Sequence, residues 1–231
     1  MKTKHILAFL LAVLTAMTLA SCIFVPIDKD DSSDAESSSA PVSSSDTASD
    51  TTDDTPDTLT RGTIYNDVYR NAFVNITFAK PKDMIFATDA EIAQMLNITK
   101  EQLNDDKLFE NAAITSIIDF MVTDPKTNNN INATYEDLSK ANATNITIEQ
   151  YVGIFKDNIN AMASGYQYTF SDLEEITLGT ETYHKLVASV TVNGISMQQG
   201  IYFRKVDKYM VSISVTVVDG TALSVYEACF S

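Results

Sequence analysis

Tyr209-Met210-Val211-Ser212-Ile213-Ser214-Val215-Thr216-Val217-Val218 is the stretch that decides the fold. Tyr209, Val211, Ile213, Val215 and Val217 fall on one side, and Ser212, Ser214 and Thr216 on the other, which is the period-two pattern of a β-strand. Two further strands precede it. Tyr183 to Val192 is rich in β-branched residues and runs into Asn193-Gly194, a pair suited to the positive φ angles of a two-residue hairpin turn. Ile195 to Phe203 follows, and Lys205 to Lys208 turns the chain again. These segments predict a three-stranded antiparallel meander.

Upstream, Ile118, Phe120 and Val122 alternate, Asp124-Pro125 and Asn128 to Asn130 break the chain, and Ile131, Ala133 and Tyr135 alternate again, predicting a second hairpin. Val74 to Phe78, before Pro81, reads as another strand that pairs with Ile64 to Tyr69. Helices are marked by capping boxes at Thr88-Asp89-Ala90-Glu91, Thr99-Lys100-Glu101-Gln102 and Thr147-Ile148-Glu149-Gln150. The third opens the longest helix, with an apolar stripe of Ile148, Tyr151, Val152, Phe155, Ile159 and Met162. A last helix follows Asp219-Gly220 and carries Leu223, Tyr226 and Phe230. Helices bracketing antiparallel strands predict an α+β class, with a central antiparallel sheet and helices on both faces.

This domain, residues 61–231, follows two segments of different composition. Residues 1–21 have Lys2, Lys4 and His5 before an apolar run from Ile6 to Ala20, the pattern of a secretory signal peptide. Leu19-Ala20-Ser21-Cys22 resembles the lipobox of bacterial lipoproteins. The resemblance implies peptidase recognition at Leu19, Ala20 and Ser21, and a diacylglycerol on Cys22 that anchors the mature chain to the extracytoplasmic face of the cell membrane. Residues 22–60 then hold nine Ser and six Thr between Asp31 and Thr60, and residues 23–60 hold ten acidic residues against Lys29 alone. Such a segment buries too little surface to offset its ordering entropy. A metal-binding reading of Asp30, Asp31 and Asp34 stands beside a solvated stalk, and the stalk is favoured because acidic low-complexity runs are usually solvated. A flexible coil of this length spans about 35 Å root-mean-square.

A second resemblance rests on Gly62-Thr63-Ile64-Tyr65, then Tyr69, Asn71, Phe73, Ile76, Phe78 and Pro81, and on the order of the later hairpins and helices. It is similar to PsbP-like domains of bacterial lipoproteins, with Asp83-Met84 where that pattern carries glycine-tryptophan. The resemblance implies an α/β/α sandwich that serves as an interaction module, with no catalytic machinery.

The composition narrows the chemistry. With 16 Lys+Arg against 31 Asp+Glu the formal charge is -15, which argues against nucleic acid, whose phosphates need clustered cations. His184 is the one histidine of the domain and has no nucleophile beside it in a known motif. Cys229 lacks a cationic neighbourhood in sequence and reads as a small hydrophobe. Glu174-Glu175 and Asp105-Asp106 read as solvated acids on turns, and the seven glycines form no phosphate loop. No metal or cofactor site is expected. Arg204, Lys205 and Lys208 ring one hairpin end, and Tyr65, Tyr69, Tyr166 and Tyr168 offer aromatic surface. Of these, Arg204, Lys205, Lys208, Tyr65 and Tyr69 are the candidate partner-binding residues. The expected function is therefore a membrane-tethered, non-enzymatic module binding a protein of the cell envelope. The alternatives are a small-ligand-binding lipoprotein with a pocket between sheet and helix, and a hydrolase using carboxylates alone.

Overall fold

The computed structural model describes residues 59–105, 107–111, 114–162, 167–192 and 194–231. The signal segment, Cys22, Asp30, Asp31 and Asp34, and likewise Asp106, Tyr166 and Asn193, lie outside the described residues. Leu59 is already buried in the core and the Thr60 carbonyl accepts from Asn71, so the folded body includes these two residues ahead of Arg61.

Eleven strands form among the described residues: β1 (Thr63–Tyr65), β2 (Val68–Asn71), β3 (Ile76–Ala79), β4 (Ile85–Phe86), β5 (Ser116–Thr123), β6 (Asn130–Asp137), β7 (Tyr168–Phe170), β8 (Glu174–Leu178), β9 (Glu181–Val192), β10 (Ile195–Val206) and β11 (Tyr209–Val217). Four α-helices accompany them: α1 (Asp89–Met95), α2 (Lys100–Leu103), α3 (Ile148–Met162) and α4 (Leu223–Glu227). The large sheet has eight strands in the order β4-β5-β6-β11-β10-β9-β7, with β8 also pairing β9. Every pairing is antiparallel. β1, β2 and β3 form a separate small sheet. The chain is thus α+β around a central antiparallel sheet, as the strand and helix patterns imply.

The expected meander is β9-β10-β11. Val192 pairs with Ile195, closing the loop with two residues, and Gly194 holds the positive φ that the turn demands. β10 runs on to Val206, and Asp207, at φ 52°, makes the next turn. All three capping boxes form, with reciprocal bonds between Thr88 and Glu91, Thr99 and Gln102, and Thr147 and Gln150. On α3 the stripe Tyr151, Val152, Phe155 and Ile159 is buried against Leu186, Phe203 and Met210, each large side chain contributing about 1.5–3 kcal/mol.

Four expectations are corrected. Ile64 to Tyr69 is not one strand: Asn66 and Asp67 both take positive φ and fold it into the β1–β2 hairpin, so β3 pairs only with Val68–Asn71. Ile118 does not share a face with Phe120 and Val122. A bulge shifts the register between Ile118, opposite Thr134, and Phe120, opposite Ala133, and leaves Asp119 as the extra residue. Glu174 and Glu175 lie on β8, not on a turn, so they point to opposite faces. Phe230 follows α4 and bridges to Phe78, outside the helix.

The second face of the large sheet is covered by β2, β3 and α4, so helix alone does not form that layer. Phe78 stacks on Phe120 at 5.0 Å and packs on Phe230 at 4.9 Å. The chain end follows β3: Ala79 N donates to Cys229 O and Ser231 N to Thr77 O.

Candidate functional site

The basic hairpin end does not form a free cationic surface. Arg204 and Lys205 are successive strand residues and point to opposite faces. Arg204 reaches Glu181 at 2.6 Å and donates to the Val74 carbonyl at 2.8 Å. Lys205 donates to the Thr144 and Ile146 carbonyls, capping the loop before α3. Lys208, half-exposed, pairs with Asp137 at 3.3 Å and lies over the Tyr209 ring. All three are engaged within the fold.

Tyr69 is corrected as a surface residue, because it is fully buried. It belongs to a polar cluster around Asp119. The bulge turns the Asp119 carboxylate inward, where it accepts from Gly62 N at 2.9 Å, Asn71 Nδ2 at 3.1 Å, Arg61 Nε at 3.3 Å and the Tyr69 hydroxyl. The one phenolic proton of Tyr69 goes to Asp119, so Tyr135 donates in turn to Tyr69 at 2.7 Å. Burial, and then the Asp119 charge, push the Tyr69 hydroxyl well above its ordinary range. Gly62 is required here, since a Cβ would stand 2.3 Å from the Tyr69 ring. The cluster fastens the β1–β3 sheet to β5, with the Asp119 carboxylate matched by donors and the Arg61 guanidinium by Asp119 and Asp89.

Tyr65 is 76% exposed and neighbours Ile64 on β1, the outer strand of the small sheet. Tyr168 is half-buried against Phe170. His184 sits 3.8 Å from Glu175, Lys185 holds Glu174 and Glu227, and Cys229 is half-buried with its thiol pushed up by burial. Asp105 accepts from Lys107 N in a local turn. No group of three or more His, Cys, Asp or Glu among the described residues could hold a metal. No helix among them is long and apolar enough to cross a membrane.

A different feature stands out on the α3 side of the large sheet. β6 presents Asn130, Asn132, Thr134 and Glu136 there, and their cross-strand neighbours on β11 are Thr216, Ser214, Ser212 and Met210. Gln199 on β10 stands beside Thr216. The seven polar residues and Glu136 are all at most 4% exposed. This polar patch lies between two apolar clusters, one under α3 and one joining α1 and α2 to Ile118. At its end Glu136 accepts from the Tyr151 hydroxyl at 2.6 Å, and burial pushes its carboxyl up to about 7 against the pull of that bond. Among the described residues, three buried oxygens in the patch have no hydrogen-bond partner, Asn130 Oδ1, Gln199 Oε1 and Ser214 Oγ, while Ser212 Oγ lies beside the Tyr151 hydroxyl. Each orphan costs about 1–3 kcal/mol. The alternation of polar residues at 130, 132, 134 and 136 is the signal that could have revealed the patch. A central strand whose second face is polar, in a sheet expected to be covered on both faces, must bury that polarity.

The class defined here is an α+β protein with one eight-stranded antiparallel sheet, fixed by its own strand register. No family model and no curated protein matches the chain. Among solved structures it is similar to cyanobacterial PsbP (CyanoP) from Synechocystis, at 13% identity and TM-score 0.41, covering 68% of this chain and 85% of that one. It is also similar to a protein from Bacteroides thetaiotaomicron, at 15% identity and TM-score 0.37, covering 68% and 44%. A third is LpqN, involved in cell envelope biogenesis of Mycobacterium tuberculosis, at 12% identity and TM-score 0.35, covering 67% and 77%.

Proposed function

We propose that this chain is a membrane-tethered, extracytoplasmic and non-enzymatic module that binds a protein of the cell envelope through the β1 edge. The observation that carries the reading is the exposure of that edge. Among the described residues β1 pairs only with β2, all three of its residues are exposed, and Ile64 and Tyr65 offer apolar and aromatic surface at 47% and 76% exposure. An unpaired strand edge is a template for a partner strand, and an adjacent tyrosine supplies an anchor. The other side of the small sheet is occupied by the chain end along β3, which leaves β1 as its open edge. The tether is supported by the signal segment and Leu19-Ala20-Ser21-Cys22. A diacylglycerol on Cys22 carries two acyl chains, and two chains hold firmly where one is marginal.

The test is photo-cross-linking in intact cells, with a benzoyl-phenylalanine at Tyr65 and a control probe at Ile195, exposed on the β9–β10 hairpin. One recurrent protein captured from position 65 and not from 195 is expected. Capture of the same mixture from both positions overturns the reading.

A further inference from the structure

We infer that the partner at the β1 edge docks as an extended protein segment that pairs along β1 and sets an aspartate or glutamate against Arg70. The inference rests on the reading of β1 as the contact edge and names the chemistry of what binds there.

The turn fixes which backbone groups the edge offers. Asn66 and Asp67, at φ 47° and 63°, join β1 to β2 through a two-residue turn with both φ positive. The pair flanking such a turn, Tyr65 and Val68, exchanges both ladder hydrogen bonds, and the next pair, Ile64 and Tyr69, exchanges none. The Ile64 N–H and C=O therefore face away from β2, toward the open edge. Gly62 N, which alternation puts on the same edge, is already given to Asp119, so the free edge is centred on Ile64.

Side-chain alternation fixes what the segment meets. Tyr69 and Asn71 are buried around Asp119, so Val68 and Arg70 point outward, and their cross-strand neighbours Thr63, Tyr65, Thr77 and Ala79 share that face. None of these is acidic. The other two arginines of the chain, Arg61 and Arg204, are each held by a carboxylate. Arg70 is exposed and, among the described residues, has neither an ion pair nor a hydrogen bond. A strand added to β1 lies about 5 Å beyond it and so about 10 Å from β2. Only the short Thr63 stands between, and Arg70 reaches over it to a carboxylate on the residue opposite Thr63. The Tyr65 ring, next on that face, shields the flank of the ion pair from water. A lipid headgroup or phosphate polymer would pair with Arg70 and leave the Ile64 N–H and C=O without partners; an acidic protein segment satisfies both.

The test keeps the full chain in intact cells, with benzoyl-phenylalanine at Ile64 or at Tyr65 and the captured peptide sequenced. Both probes are expected to attach to neighbouring residues of one segment of one protein, with an Asp or Glu within about three residues, as strand pairing requires. Arg70→Glu, a change at an exposed side chain, is expected to lower capture at least tenfold, and changing that acid to Lys in the partner is expected to restore it. Unchanged capture in folded Arg70→Glu, a captured segment without an acid, or no rescue by the partner's Lys overturns the inference and leaves β1 as the contact edge. Attachment to residues 23–58 of the same chain, or no capture specific to these positions, overturns both.

Discussion

Replacing Glu136 by Gln should raise stability at alkaline pH and leave it nearly unchanged in acid. Glu136 is 2% exposed, and burial pushes its carboxyl from the ordinary 4.5 up to about 7 in the folded chain. Among the described residues its surroundings provide no compensating charge. Tyr151 donates from α3, Ser116 and Met210 flank it on β5 and β11, and Lys205 is engaged with loop carbonyls. Asp137, next in sequence, points to the other face and pairs with Lys208. Because the folded value lies above the unfolded one, the native state binds more protons between pH 4.5 and 7. The stability from the neutral carboxyl is therefore complete below about pH 4.5 and lost as pH rises through 7. A rise from 4.5 to about 7 corresponds to about 3 kcal/mol, or about 6–12 °C in melting temperature for a domain of this size. Gln keeps an acceptor for Tyr151 and never ionises. The assay is urea and thermal unfolding of both forms at pH 4, 5, 6, 7 and 8, read as the difference between them. Carboxylates held low by their partners, such as Asp137 and Asp219, act in the opposite sense and in acid, and they cancel in that difference. A gap of about 3 kcal/mol opening between pH 5 and 8 is expected; a gap that does not change with pH refutes the reasoning.

Three more predictions concern the core and the anchor. Asp119→Ala should cost about 3–5 kcal/mol in urea unfolding, since it strands Arg61, Gly62 N, Asn71 and Tyr69 together; a loss below about 1 kcal/mol would show that the cluster is not a fastening. Phe120→Ala should cost about 3–5 kcal/mol and couple to Phe78→Ala, whereas Ile118→Ala and Phe78→Ala should add within about 0.5 kcal/mol, because the bulge puts Ile118 on the other face; the reverse pattern would remove the bulge. Cys22→Ala should release the protein to the medium or leave it unprocessed, and a mature-size species still sedimenting with membranes would disprove the lipobox reading.

Much of the architecture was legible because its signals are local. A capping box needs only four residues, and Thr88, Thr99 and Thr147 each announce a helix that forms. Asn193-Gly194 announces a two-residue loop, and the Val192–Ile195 pairing closes one there. The errors came from single-residue irregularities. Asn66-Asp67 bends one apparent strand into two, and the bulge at Asp119 reverses the face of Ile118, yet neither disturbs the average hydrophobic pattern. β7 and β8 were not anticipated, being short edge strands with half-buried, mixed residues.

For the sites, sequence position was a poor guide. Arg204, Lys205 and Lys208 are close in the chain, but strand alternation and internal partners disperse them. Tyr65 and Tyr69 look alike in sequence, and only the packing of the small sheet against β5 exposes one and buries the other. By itself, the sequence determined the α+β class, the capped helices and the last antiparallel meander, because each depends on neighbours a few residues apart. Tertiary structure alone decided that Asn130, Gln199, Ser212 and Ser214 share one buried surface. That surface is made by pairing strands more than sixty residues apart, and burial depends on what other segments lay over it.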